Sequence, residues 1–308
     1  MTGRLCGRVA IVTGAGNGLG RAHALYMAAQ GARVVVNDLG GTVHGEGQDP
    51  GLAQRVVEEI REAGGEAVAS GHDVADWDQA RALVELTVNT FGDLHVLVNN
   101  AGILRDRALV NMSEEEWDAV IRVHLKGHVA PTKHAMSYWR KRSKAGHEVK
   151  PSVIHTTSIA GLAGNFGQAN YSAAKLGVVA FSRVVTLEGA KYGVRSNAVS
   201  PSARTRLALA TPGLEESIRP PEDPAVFDPY DPANVSPLIA WLAEANCPAN
   251  SQVFHISGNH LVSMQIAEVV HDLQTDGRWT PESLDEALTD RLVRQTSIED
   301  FFDDSSGP

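Results

Sequence analysis

Tyr171 and Lys175 stand four residues apart, so on one helix they share a face and an ammonium can lie beside a phenol. An unassisted phenol titrates near 10 and is a poor base at neutral pH, but a neighbouring cation favours the phenolate by Coulomb attraction. The pair reads as a proton-transfer device in which Lys175 makes Tyr171 usable. Ser158 lies thirteen residues before Tyr171, at the end of the run His155-Thr156-Thr157-Ser158, where its hydroxyl can hydrogen-bond and orient a reacting oxygen. A tyrosine and a lysine at this spacing are common on helix surfaces, so the chemistry depends on what surrounds them.

Near the N-terminus an apolar strand runs into Thr13-Gly14-Ala15-Gly16-Asn17-Gly18-Leu19-Gly20 and then a helical pattern. Glycines in such a turn let backbone amides face a pyrophosphate at a helix N-terminus, although a glycine-rich turn can also bind nothing. The next strand ends at Asn37-Asp38. A carboxylate there can accept hydrogen bonds from an adenosine ribose diol and repels a 2′-phosphate, which favours NAD over NADP; its plainer role is an acidic turn residue.

Residues 9–12, 33–37, 66–71, 96–99, 152–157 and 195–200 read as successive strands. Helical windows 20–30, 52–63, 77–90 and 113–127 fall between them, the last opening on a capping box, Ser113 followed by Glu116. The alternation predicts right-handed crossovers and a Rossmann-like, doubly wound parallel sheet covered on both faces. It forms a single α/β domain over residues 1–265, with a C-terminal extension 266–308. Within it, prolines such as Pro212, Pro220, Pro221 and Pro224 make 206–232 a loop or broken helical flap, placed after a strand end where a substrate lid would sit. A strand pattern resumes at 251–256 and a helical one at 280–294, before an acidic tail over 299–308 that reads as frayed.

A chain of 308 residues with a formal charge of -10 argues against nucleic acid as a partner. Cys6 and Cys247 form neither a disulfide framework nor a metal-ligand cluster, so no metal is expected and a reducing cytoplasm fits. No signal peptide, membrane span or Ser-Lys-Leu terminus is read from the sequence.

The spacing Gly14, Gly18, Gly20, the run Asn99-Asn100-Ala101-Gly102 and the Ser158, Tyr171, Lys175 set together resemble the short-chain dehydrogenase/reductase superfamily. The resemblance implies hydride transfer at a nicotinamide, with Tyr171 exchanging the substrate hydroxyl proton, Lys175 also holding the ribose, and Ser158 positioning the oxygen. It implies cofactor contacts from Asp73-Val74 to adenine, from the Asn99–Gly102 run, and from Pro201 and Thr205 near the nicotinamide. His124 takes the place of an asparagine that in many members supports a water chain to the lysine, so it is a candidate proton relay or a residue that merely satisfies a helix kink.

Longer stretches narrow the likeness: Val35–Gly41, Asn100–Arg107, Val123–Gly127 and Gly164–Gly177 are similar to the dehydrogenase region of peroxisomal multifunctional enzyme type 2, or 17β-hydroxysteroid dehydrogenase type 4, and its bacterial single-domain relatives. That branch implies oxidation of (3R)-3-hydroxyacyl-CoA to 3-oxoacyl-CoA with NAD, a role in lipid metabolism, and a homodimer or homotetramer. A 17β-hydroxysteroid or other secondary-alcohol dehydrogenase keeps the same residues, and a non-catalytic nucleotide sensor would not need them. A CoA thioester needs cationic partners for its phosphates, and Arg105, Arg107, Arg204 and Arg206 follow two strand ends, where they equally suit surface solubility.

Overall fold

Val34, Val35 and Val36 are fully buried, the first and third in the core on one face of a sheet and the second in the core on the other. Only a strand covered on both faces can bury consecutive apolar residues in this way. The structure, a computed structural model, describes residues 3–211 and 215–292. Its first half is β1 (Val9–Thr13), α1 (Gly18–Ala29), β2 (Arg33–Asn37), α2 (Gly51–Glu62), β3 (Glu66–Ser70), α3 (Trp77–Phe91) and β4 (Val96–Asn99). The second half is α4 (Glu114–Ile121), α5 (Gly127–Lys144), β5 (Ser152–Thr156), α6 (Ile159–Ala163), α7 (Ala169–Gly189), β6 (Arg195–Ser202), α8 (Arg206–Leu209), α9 (Ser236–Ala243), β7 (Val253–Ser257), β8 (His260–Met264) and α10 (Pro281–Leu288).

The strands form one sheet in the order β3-β2-β1-β4-β5-β6-β7-β8, parallel throughout except for β8. The order reverses between β1 and β4, which opens a crevice beyond their C-terminal ends where sheets of this kind hold ligands. The doubly wound, single-domain fold expected from the alternation is the fold observed. The antiparallel β8 went unread because its residues are largely exposed and follow a two-residue turn with Gly258 at φ +55°.

The helix expected over 113–127 begins as expected, with the Ser113 hydroxyl accepting from Glu116 N–H at 3.2 Å and the Glu116 carboxylate accepting from Ser113 N–H at 3.0 Å. It ends at Ile121 and gives way to one π-helical turn, Arg122–Lys126, ahead of α5. The wider turn rotates His124 into the interior. In 206–232 the described residues form the short α8 and turns, as the prolines require; Pro212 lies outside the described residues. Helix α10 is shorter than 280–294, of which residues 293 and 294 lie outside the described residues, as does the acidic tail. Among the described residues no helix is long and apolar enough to cross a membrane.

Candidate active site

The crevice holds a cavity of about 1140 Å³, above the roughly 300–1,000 Å³ of pockets for drug-sized ligands, so there is room for a dinucleotide with a second molecule beside it. Its floor is built from the glycine-rich turn. Gly14 and Gly18 have φ of +64° and +53°, and a Cβ on Gly14 would lie 2.7 Å from the Ala101 Cα. The Thr13 hydroxyl accepts from the N–H groups of Asn100 at 2.9 Å and Ala101 at 3.1 Å, and the Asn100 side chain donates back to the Thr13 carbonyl at 3.0 Å. Strand ends β1 and β4 are thereby locked together under the cavity. Asp38 is held by both oxygens, one accepting from Gly16 N–H and one from Gly40 N–H, each at 2.7 Å.

Gly14, Asn17, Gly18, Leu19, Asp38, Asp73, Val74, Asn100, Ala101, Gly102, Pro201 and Thr205 all line the cavity, as a nucleotide site requires. Positive-φ glycines at the turn, an immobilised carboxylate and the cavity volume fit a nicotinamide dinucleotide. Thr205 caps α8 by accepting from Ala208 N–H, and its methyl faces Gly18. Two expected contacts do not reach the cavity. Asn99 points to the opposite face of the sheet from Asn100, because strand side chains alternate, and donates to the Thr132 hydroxyl at 2.9 Å. Gly20 is a packing glycine: a Cβ there would sit 2.1 Å from the Gly14 carbonyl oxygen.

Ser158, Tyr171 and Lys175 meet on the other side of the same cavity, placed by the end of β5 and by α7. Burial pushes the Tyr171 phenol up to about 12; a hydrogen bond from Ser158 opposes this, and the Asp106 carboxylate adds to it. Lys175 is 2% exposed and burial pushes it down to about 7. Its Nζ donates to the Thr156 carbonyl at 2.6 Å and lies 5.6 Å from the centre of the Tyr171 ring. Desolvation dominates the Tyr171 phenol, opposite to the lowering expected from a neighbouring cation.

His124 is fully buried, its ring edge-on to Tyr171 at 4.9 Å between centroids. Its Nε2 lies 2.7 Å from the Ile103 carbonyl, and Nδ1 has no partner. Burial and the Lys175 charge hold it well below the usual histidine range, hence neutral. The ring also fills the space above Gly102, whose Cβ would meet it at 2.5 Å. A second buried pair, His128 and His155, lies behind Lys175 with Nδ1 atoms 3.3 Å apart; sequence reading passed over both because neither shows ligand spacing.

Of the four arginines, three are engaged elsewhere. Arg105 pairs with Glu46 at 2.8 Å, Arg107 with Glu116 at 2.8 Å, and Arg204 with Asp228. None of the three lines the cavity, so the structure does not bring Arg105 and Arg107 to it; Glu46 in a loop and Glu116 in the first turn of α4 neutralise them. Arg206 does reach the cavity, exposed at its edge. Reading the sequence missed Arg122, which lines the cavity and holds Asp73 at 2.6 Å, and it missed the lining residues Asn165, Gln168, Ile159, Leu207 and Ile218. The two amides sit in the stretch preceding Tyr171, and that position was the available signal.

A family model described as short chain dehydrogenase matches residues 8–209. A crystal structure of a short chain dehydrogenase from Mycobacterium avium aligns with a TM-score of 0.84 at 46% identity, covering 96% of this chain and 99% of that one. Hydroxyacyl-CoA dehydrogenase ChsB1 of Mycobacterium tuberculosis is 40% identical over 305 residues, 96% of this chain and 92% of its own length. Peroxisomal multifunctional enzyme type 2 of Drosophila melanogaster is 40% identical over 291 residues, 94% of this chain. This chain spans only 44% of that longer protein.

Proposed function

Because this chain belongs to the short chain dehydrogenase family, whose members named above are oxidoreductases, we propose that it oxidises a (3R)-3-hydroxyacyl-CoA to the 3-oxoacyl-CoA with NAD. The observation that carries the reading is the meeting of Ser158, Tyr171 and Lys175 on one wall of the cavity whose other wall is the glycine-rich turn. When bound, the nicotinamide supplies the acceptor for the hydride that leaves the carbinol carbon. The residues handle the rest: the hydroxyl proton passes to the Tyr171 oxygen as the carbonyl forms, and Ser158 holds the reacting oxygen by a hydrogen bond. The half-buried Tyr171 keeps its own proton in the resting site, so that proton must leave to solvent before oxidation, and the protonated form of Lys175 favours that loss by Coulomb attraction.

Asp38, fixed beside the turn, supports NAD as the cofactor. Names of the relatives and the exposed Arg206 support the acyl-CoA class, since a cation at the cavity edge can meet a CoA phosphate. The apolar side chains of Ile159, Leu207 and Ile218 suit an acyl chain and equally support a second reading, a 17β-hydroxysteroid or other secondary alcohol. A nucleotide sensor has no use for the gathered triad. We also propose a homo-oligomer, supported by Val184 and Leu187 exposed on α7, and a cytoplasmic setting, supported by two free thiols. Sedimentation tests the first.

The substrate reading is tested by comparing a (3R)-hydroxyacyl-CoA with the same acid on a pantetheine thiol that lacks the nucleotide, at low ionic strength. The CoA form should be oxidised far more efficiently. Equal rates for the two, with a hydroxysteroid the better substrate, overturn the acyl-CoA assignment.

A further inference from the structure

Just before Tyr171 in the chain, Asn165 and Gln168 line the cavity and, with Asp106 behind them, form a chain of fixed polarity. Asp106 is partly buried, and burial raises its carboxyl while the bond from Gln168 holds it down. A carboxylate only accepts hydrogen bonds. Its Oδ2 receives the Gln168 amide N–H at 2.6 Å, so the Gln168 oxygen must turn the other way, and there it accepts from the Asn165 amide at 2.9 Å. Gln168 is 5% exposed, and turning its amide over would set its oxygen against the carboxylate. The orientation of Asn165 is thus dictated two residues away, by a charge that does not itself line the cavity.

The segment that carries these amides is anchored. Arg107 N–H donates to the Gly167 carbonyl at 2.7 Å, and the Asn170 side chain donates to the Arg105 carbonyl at 3.1 Å. Gly164 and Gly167, at φ of +79° and +78°, supply the turns that bring Asn165 to the cavity wall. What Asn165 offers a ligand is therefore defined: an acceptor oxygen, and the remaining N–H of its amide as a donor. Its acceptor oxygen complements the N–H of a secondary amide. A steroid nucleus and a plain fatty chain carry no such group, whereas the pantetheine arm of an acyl thioester does.

We propose that Asn165, oriented by Asp106 through Gln168, is a specificity-determining residue that reads a secondary amide on the thiol side of the substrate. The inference rests on the hydroxyacyl-thioester reading of the site and adds which part of the thioester is recognised. Asp106 and Gln168 are positioning residues: they act on the substrate only through the Asn165 amide.

The test compares two thioesters of one (3R)-3-hydroxy acid, the N-acetylcysteamine form and the 2-acetoxyethanethiol form, in which an ester oxygen replaces the amide N–H. Wild-type protein should prefer the amide by about 10-fold in kcat/KM, the cost of leaving one acceptor unpaired in a partly enclosed site. Asn165→Leu and Asp106→Leu should each bring that ratio close to one. Asp106→Asn should restore it, because an asparagine oxygen can still receive the Gln168 N–H. A ratio near one in the wild-type protein overturns the inference and leaves the thioester reading standing; so does a ratio that survives Asn165→Leu, a variant at a partly exposed position that does not threaten the fold. If wild-type protein turns over neither thioester but oxidises a hydroxysteroid, the thioester reading fails and this inference fails with it.

Discussion

Asp38 offers the sharpest electrostatic prediction. Hydrogen bonds of 2.7 Å to Gly16 N–H and Gly40 N–H fix both carboxylate oxygens, so the charge cannot swing away from an incoming group. A 2′-phosphate brought to about 4 Å would be repelled by about 1–4 kcal/mol per unit charge at the effective dielectric of a protein edge. NAD should therefore be preferred over NADP by at least about 100-fold in kcat/KM, a difference of about 2.7 kcal/mol. Asp38→Asn removes the charge, keeps one acceptor and sets an amide NH2 donor against the second backbone N–H. Discrimination should fall to about 10-fold or less, and stability should drop by about 1–3 kcal/mol through the unmatched amide. Steady-state rates with each cofactor on one alcohol, at low and high salt, measure the first; thermal denaturation measures the second. Because ions screen a partly exposed repulsion, high salt should narrow the wild-type gap. Equal efficiencies in wild type, or an unchanged ratio in a folded Asp38→Asn protein, would refute the argument.

Tyr171→Phe keeps the ring and removes the proton-carrying oxygen, so cofactor binding measured by fluorescence should survive while turnover falls by about 10²–10⁴-fold; near-normal kcat would contradict its role. Lys175 is a base depressed to about 7 from 10.5, so below pH 7 its buried charge costs the ligand-free fold, and the cost is relieved as pH rises through the interval between the two values. Lys175→Met should raise stability by up to about 4 kcal/mol at acidic pH, with the gain vanishing above about 10.5, while abolishing activity; a gain independent of pH would exclude a buried ammonium. Arg206→Ala should raise KM for a CoA thioester and flatten its salt dependence, seen in initial rates across a salt series.

Much of this site can be read along the chain because its parts are local. A strand running into glycines, an acidic strand end, and a serine, tyrosine and lysine at short spacing each occupy one stretch, and the parallel sheet brings their ends together. What escaped the reading depends on partners distant in sequence. Nothing near Arg105 or Arg107 says that Glu46 and Glu116 will neutralise them. Asn99 and Asn100 look equivalent in sequence, yet strand alternation sends one to the interior and the other to the cavity. The π-turn that aims His124 inward, and the desolvation that lifts Tyr171 instead of lowering it, arise from packing that a periodicity argument cannot weigh.

The most direct test of the account is NADH formation by purified protein offered the (3R) and (3S) isomers of one 3-hydroxyacyl-CoA, with a 17β-hydroxysteroid in parallel. The account predicts rapid oxidation of the (3R) thioester with NAD, slow or no oxidation of its (3S) isomer, and loss of the (3R) signal in Tyr171→Phe. Preference for the steroid, or for the (3S) thioester, would contradict it.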